Sequence, residues 1–263
     1  MGGARASADD TRVRARVVLA ALVGALAVAA LAGASTRAVA GRACLSGQSG
    51  GYAYAGNQAT FRGHGVRATI TMTRAPSVEA GHVAGWVGVG GPGQGANGED
   101  AWIQGGIASM PGMDPMIYAE ITRADQTPRF VPLAGSVAPG RSHTVAVLEV
   151  AKRAGWWRVW VDGRAVTKPV HLRGSTERWA PIATAESWNA GTAACNSFGF
   201  RFERVSVSYG GGGSWRPFVP AHRFRDGTNV VRDLASAPAE SGVYRHASAG
   251  EKAVPYAFLA TSG

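Results

Sequence analysis

Short runs in which apolar and polar residues alternate recur along this chain, separated by glycine, proline, asparagine and aspartate. In residues 68–73, Ala68, Ile70 and Met72 alternate with threonines, and in residues 198–203 phenylalanines alternate with glycine, arginine and glutamate. A period of two places successive side chains on opposite faces of a strand. Helical periodicity is nearly absent after the first 40 residues. We therefore predict an all-β chain that folds as one antiparallel β-sandwich domain.

Some predicted strands carry an additional local signal. Asp162-Gly163 is a strong hairpin signal between two strands. The apolar phase slips by one residue near Glu203-Arg204, which predicts a β-bulge there. Residues 143–150 are apolar on both faces and are predicted as a central strand. The predicted strands cover residues 68–73, 82–90, 101–107, 117–122, 143–150, 156–161, 164–166, 183–189 and 198–209.

The N-terminus has the layout of a secretory signal peptide. Three arginines, at positions 12, 14 and 16, precede the uncharged run of residues 17–34, and Ala38-Val39-Ala40 offers small residues at a cleavage site. We predict that residues 1–40 are removed and that the protein is secreted into the extracellular space without a membrane contact. The alternative is an uncleaved membrane anchor, because the uncharged run is long enough to span a bilayer.

The remaining chain is predicted to be a single β-sandwich domain with an extension. The domain covers residues 41–213 and ends in a glycine run. Residues 214–263 are weaker in apolar runs, and they are interpreted as an extension that adds a strand, wraps the surface or is partly disordered.

The chain is basic, with a formal net charge of +10, and the first 40 residues hold five Arg and two Asp, so about +7 remains after their removal. The charge is spread out rather than clustered, which favours solubility and attraction to anionic surfaces over nucleic-acid binding. No nucleic-acid partner is predicted, and we expect a monomer.

The two cysteines, Cys44 and Cys195, are predicted to form a disulfide, because an exported protein with two cysteines most simply pairs them. The six histidines show no close spacing to one another or to the cysteines. No metal site is therefore predicted, and no cofactor is expected.

Two segments combine an amide, a carboxylate and aromatic residues on strand faces. Trp102 and Gln104 share one face of a predicted strand, and Thr184, Glu186 and Trp188 share one face of another. An amide and a carboxylate flanked by tryptophans are typical of a groove for a polypeptide or a glycan. We therefore expect these faces to form one surface that binds such a ligand.

These segments resemble the glutamic peptidases, also called eqolisins. In that family a Trp-Val-Gly-Ile-Asp-Gly strand precedes a loop and a strand with Gln before Gly, as in residues 86–91 and 103–105 here. The family's catalytic Glu comes later, before a Phe-Gly strand, as Glu186 precedes residues 197–200. The resemblance covers residues 65–209, and it implies a concanavalin-like jelly-roll sandwich. Gly90 stands where the family has Asp.

The resemblance implies an acid endopeptidase with Gln104 and Glu186 as the catalytic pair. Glu186 would be the general base that activates water, and Gln104 would orient the water and donate to the developing oxyanion. The residues expected to bind substrate are the aromatic and acidic side chains nearby, namely Trp86, Trp102, Tyr118, Glu120 and Trp188.

Several alternatives remain open from the sequence. Glu177 is a second candidate for the position of the catalytic Glu, and Glu99-Asp100 could hold Ca²⁺ or be solvated. Gln104 could instead satisfy backbone groups, and Glu120 could belong to an exposed strand face. In place of a peptidase, the chain could be a noncatalytic, lectin-like module that binds sugar or peptide through Trp102 and Trp188.

Overall fold

The computed structural model describes residues 51–59, 62–124, 126–234 and 256–262. Throughout these ranges the regular structure is β-strand, which confirms the all-β prediction. The strands are β1 Tyr52–Ala59, β2 Gly65–Met72, β3 His82–Gly91, β4 Ala101–Ser109, β5 Met116–Thr122, β6 Arg129–Ala134, β7 Ser142–Glu149, β8 Trp156–Val161, β9 Arg164–Ala165, β10 Val170–His171, β11 Ile182–Trp188, β12 Gly199–Ser208, β13 Trp215–Pro217, β14 Pro220–Arg225, β15 Val230–Asp233 and β16 Tyr256–Thr261.

The strands form two antiparallel sheets that pack as a sandwich. The seven-stranded sheet has the order β14-β1-β11-β3-β4-β5-β6. The nine-stranded sheet has the order β10-β8-β7-β2-β12-β16-β15, with β13 beside β12 and β9 beside β8. The strands on either side of β11 in the seven-stranded sheet, β1 and β3, come from much earlier in the chain, so this sheet depends on long-range pairing.

The core lies between the inner faces of the two sheets. Phe198, Phe200 and Phe202 are fully buried there, as the alternating pattern predicts. Glycines in the seven-stranded sheet make room for large side chains from the opposite sheet. A Cβ on Gly85 would lie 2.6 Å from the Phe200 ring, and one on Gly105 would lie 2.6 Å from Val159. These glycines therefore set how closely the sheets approach.

The predicted local signals are confirmed. Pairing of β12 shifts its register after Glu203, as in a β-bulge, and Arg204 there has a positive φ of 52°. Asp162 and Gly163 have φ values of 48° and 79°, which suit the tight turn of the β8–β9 hairpin. The predicted central strand is β7, which has β2 and β8 on its two sides.

The described part of residues 214–263 supplies strands to both sheets. The strand β14 forms an edge of the seven-stranded sheet, and β16 lies between β12 and β15 in the other sheet. The predicted signal peptide and Cys44 lie outside the described residues, so cleavage and the Cys44–Cys195 disulfide stay predictions. Within the described ranges, no helix has the length and apolarity that crossing a membrane would need.

Candidate active site

The outer face of the seven-stranded sheet, which points away from the sandwich core, carries a second apolar cluster. It consists of Ala84, Trp86, Ala108, Tyr118 and Ile182, with Tyr54, Phe130 and Phe224 packed beside it. We call this surface the outer-face site. The strand registers place all seven predicted site residues on it, namely Trp86, Trp102, Gln104, Tyr118, Glu120, Glu186 and Trp188.

Glu186 lies on β11, opposite Ala84 of β3 and Tyr54 of β1. It is only 6% exposed, although it is outside the core. Its Oε1 lies 2.7 Å from His82 Nε2, and its Oε2 accepts a hydrogen bond of 3.1 Å from Trp86 Nε1. Both carboxylate oxygens therefore have a donor, which fixes the orientation of the group.

His82 is the ionic partner of Glu186. Burial by itself would lower the pKa of His82, but the hydrogen bond and negative charge of Glu186, with a contribution from Glu120, outweigh it and raise that pKa above its ordinary value. His82 therefore holds its proton over a wider pH range than a free histidine. His82 was not predicted as a site residue from the sequence. Its even spacing from Trp86 on the same predicted strand would have placed it on the same face.

Gln104 lies on β4 between Gly88 of β3 and Glu120 of β5. Its Nε2 donates a hydrogen bond of 3.2 Å to the hydroxyl of Tyr118. Burial, followed by the charges of Glu186 and Glu120, raises the pKa of Tyr118 well above its ordinary value, so the phenol stays protonated. The Tyr118 hydroxyl thus accepts from Gln104 and keeps its own proton for donation.

Gln104 and Glu186 share a face, but no hydrogen bond joins them. Glu186 is level with Ala84 and Gln104 is level with Gly88, so the two are four residues apart along β3. That offset is about 13 Å in a regular strand. Halfway between them, Trp86, Gly106 and Tyr118 lie side by side on β3, β4 and β5. The Trp86 and Tyr118 side chains therefore occupy the space between Gln104 and Glu186.

Glu120 brings a second carboxyl group to the site. Its Oε1 accepts a hydrogen bond of 2.9 Å from Trp102 Nε1. Burial raises the pKa of Glu120, the negative charge of Glu186 adds to this rise, and the hydrogen bond from Trp102 and the charge of His82 oppose it. Glu186 and Glu120 thus each accept a hydrogen bond from a tryptophan of their own. The raised pKa of Glu120 means that it holds its proton more tightly than a free glutamate.

Aromatic rings surround His82 at the end of the site near Glu186. The rings of Tyr52 and Trp188 stack with their centroids 5.7 Å apart, and the His82 ring lies 5.6 Å from Trp188 and 6.2 Å from Tyr52. Burial, helped by the charges of Glu186 and Glu120, raises the pKa of Tyr52 to about 12. Tyr52 and Tyr54 come from β1, a strand that the sequence pattern did not predict.

The other acidic candidates lie elsewhere. Glu177 is exposed in a turn, 3.5 Å from His64, and is not part of the outer-face site. Glu99 accepts hydrogen bonds from Asn97, and Asp100 accepts one from the backbone of Gly93, so loop donors occupy both carboxylates. In the described ranges, no three His, Cys, Asp or Glu side chains are grouped so that they could hold a metal ion.

Gly90, which stands where the glutamic peptidases have Asp, has a backbone that disfavours any side chain. Its φ is +88°, in the region that favours glycine. A Cβ there would lie 2.3 Å from the carbonyl oxygen of Ala101. An aspartate therefore does not fit this position without a local change of the β3–β4 turn.

Comparison with known proteins gives fold neighbours only. No protein-family model matches the chain, and no curated protein matches it. Among solved structures it is similar to scytalido-glutamic peptidase with a peptide-based transition state analog, at 15% identity and a TM-score of 0.48, over 80% of this chain and 97% of that chain. It is also similar to SCP-B, a member of the eqolisin family, in a complex with the tripeptide Ala-Ile-His, at 14% identity and a TM-score of 0.45, over the same shares.

A third similar structure is the Bacillus licheniformis β-glucanase, at 16% identity and a TM-score of 0.33, over 50% of this chain and 55% of that chain. Likeness at these values carries no argument about activity. The assignment of the sandwich rests on the strand pairing of this chain itself.

Proposed function

We propose that this protein is a secreted endopeptidase of the glutamic type that acts in the acid range, with Glu186 as its general base. The observation that carries the proposal is the state of Glu186, a nearly buried carboxylate outside the core whose two oxygens are oriented by His82 and Trp86. Aromatic side chains beside it offer apolar contacts for an extended peptide. The sequence resemblance to the glutamic peptidases favours a peptide as substrate.

In the proposed reaction Glu186 takes a proton from water as the water attacks the scissile carbonyl carbon. Glu186 then gives the proton to the leaving amine, so that the peptide bond is replaced by an acid and an amine. The strand register places Gln104 four residues away from Glu186, measured along β3. We therefore assign the donor to the developing oxyanion to the Tyr118 hydroxyl, which Gln104 orients. The scissile carbonyl would then lie over Trp86, between Glu186 and Tyr118.

The test is a protease assay across the acid range with the full chain and the Glu186→Gln variant. We expect activity in the unaltered protein and none in the variant, because glutamine cannot accept the proton. Glu177→Gln is the matched control, since that exposed glutamate lies outside the site and its loss should leave activity unchanged. Full activity in Glu186→Gln would overturn the proposal.

The second candidate is a noncatalytic module that binds peptide or glycan at the same face. One observation in its favour is that Glu186, the proposed base, is already paired with His82. The other is that the Tyr52 and Trp188 rings are stacked beside this pair. This function predicts saturable binding that survives Glu186→Gln and is lost in Trp102→Ala. Absence of proteolysis together with that binding pattern would establish it in place of the peptidase.

A further inference from the structure

The outer face of the nine-stranded sheet, on the opposite side of the sandwich from the outer-face site, is rich in arginine. Four strands, β8, β2, β12 and β15, each place one arginine on it, namely Arg158, Arg67, Arg201 and Arg232. Each is at least partly exposed. Among the described strand positions that face outward here, Glu203 is the one acidic residue, and it is 3.2 Å from Arg201.

Tryptophans hold the guanidinium groups at one end of this face. Arg67 lies over the ring of Trp215, 4.5 Å from its centroid, and Arg153 of the adjoining turn lies 4.0 Å from that of Trp156. The other partner of Trp156 is His171, stacked at 5.1 Å. A guanidinium group that lies over an aromatic ring loses little further freedom on binding. Arg67 and Arg153 are thus partly ordered before any ligand arrives.

Two arginines of this face have a buried Nε atom without a hydrogen-bond partner among the described residues, namely Arg158 and Arg201. The Nε of Arg201 is 3.2 Å from the carboxylate of Glu203. Arg158 as a residue is partly exposed, and Leu148 lies opposite it on β7. A carboxylate or sulfate group placed over Leu148 would therefore pair with the accessible part of this guanidinium rather than with the buried Nε.

We propose that this face, which we call the arginine platform, binds an anionic polysaccharide through its carboxylate or sulfate groups. Arginine forks pair with such groups through two parallel hydrogen bonds, and the net charge, about +7 after removal of residues 1–40, draws polyanions toward the protein. The site goes beyond the proposed peptidase function and is independent of it. Since the two sites are on opposite faces, a polysaccharide on the platform leaves the outer-face site open.

Features of the platform disfavour two other polyanionic ligands, single-stranded nucleic acids and anionic membranes. Single-stranded nucleic acids bind sheets through bases that stack on open aromatic rings, whereas arginine and histidine side chains cover the rings of Trp156 and Trp215 here. A membrane surface would be favoured by exposed apolar side chains, and the large exposed ones in the described ranges, Met113, Tyr209, Val219 and Val230, do not form a patch on the platform.

The test measures affinity of the full chain for heparin and for polygalacturonate. The variant carries Arg67→Gln, Arg158→Gln and Arg201→Gln. The matched control carries Arg123→Gln, Arg129→Gln and Arg225→Gln, three exposed arginines away from the platform whose removal costs the same charge. We expect the platform variant to bind at least about 10-fold more weakly, with a salt dependence shallower by about three charges, and the control to lose less than about 3-fold.

Three results would overturn the proposal. Equal losses in the two variants would mean that net charge alone attracts the polymer. If neutral dextran bound as tightly as heparin and polygalacturonate, the carboxylate and sulfate groups of the polysaccharide would have no role in binding. Tighter binding of single-stranded DNA or anionic vesicles would identify another ligand. If the glutamine variant does not fold, the same three positions changed to lysine keep the charge and the aliphatic contacts. That lysine variant should still bind more weakly than the unaltered protein, because lysine lacks the paired donors, and undiminished binding would also overturn the proposal.

Discussion

Glu186 and Glu120 are two glutamates on one sheet face, yet their surroundings differ. Glu186 receives hydrogen bonds from His82 and Trp86, whereas Glu120 receives one from Trp102 and is influenced by the charge of Glu186. The sequence resemblance identified Glu186 and predicted Gln104 as its partner, whereas Glu120 was expected at the site because it shares a strand face with Tyr118. It could not reveal that the partner is His82, because a shift of two residues in strand register moves a side chain by about 7 Å without changing its face.

The proposed role of Tyr118 can be tested with Tyr118→Phe, which removes only the hydroxyl. If Tyr118 donates to the developing oxyanion, kcat should fall about 100-fold, the usual effect of losing one such donor. The measurement is steady-state kinetics in the acid range, with the melting temperature as a check on folding. Unchanged kcat in a folded variant would exclude the hydroxyl from the reaction.

The pKa of Glu120, raised by burial and by the charge of Glu186, predicts a pH-dependent stability. A carboxyl group whose pKa is higher in the folded state contributes stability below its unfolded pKa, and loses it as the pH rises through the folded value. Glu120→Gln cannot ionise. The melting temperature of the variant, relative to that of the unaltered protein, should therefore increase from pH 4 to pH 7.

The same pH series contains its control. Glu177 is exposed and outside the site, so Glu177→Gln should follow the unaltered protein across the range. A constant difference between Glu120→Gln and the unaltered protein at every pH would show that ionisation of Glu120 does not affect stability.

At the scale of the strands, prediction succeeded for β12, where alternation is regular, and failed for β1, where glycine and asparagine interrupt the pattern. The strand β12 was recognised from its phenylalanines, and its bulge from the change of phase. The strand β1 was missed because Gly56 and Asn57 are rare in strands. Gly56 is needed there, since a Cβ would lie 2.3 Å from the Cα of Thr184 on β11. Packing thus overrides intrinsic propensity in this strand.

The pairing of β3 with β4 depends in the same way on Gly106. A Cβ at this position would lie 2.0 Å from the carbonyl oxygen of Gly85 and 2.7 Å from the Cα of Trp86, so the strands would have to separate. We expect Gly106→Ala to lower the free energy of unfolding by about 1–3 kcal/mol. Urea denaturation measures this, and Gly135→Ala, whose Cβ meets nothing within 4 Å, should change it little.

At the scale of the whole molecule, the described part of residues 214–263 joins both sheets. The strand β16 contributes Phe258, which is fully buried and stacks on Phe202 with ring centroids 4.6 Å apart. From the sequence, an added strand was only one of three alternatives for this extension, because β16 lies far along the chain from β12, which it joins. Long-range pairing of this kind leaves no local periodic signal.

The contribution of β16 can be measured with two neighbouring substitutions. Phe258→Ala should lower the free energy of unfolding by about 3–5 kcal/mol, because it opens a cavity in the core. Leu259→Ala lies on the outer face of the same strand and should cost about 1 kcal/mol or less. Similar losses in the two variants would mean that β16 is only loosely packed on the sandwich.

The position of β16 also sets the order of events during synthesis. In the nine-stranded sheet, β15 is connected to β12 only through β16, although it is made earlier. Until residues 256–261 have been made, residues 199–205 of β12 lack a strand partner on one side and Phe202 lacks its aromatic cover. The nascent chain therefore exposes apolar surface until β16 has formed, and a chaperone would be of most use to it before that point.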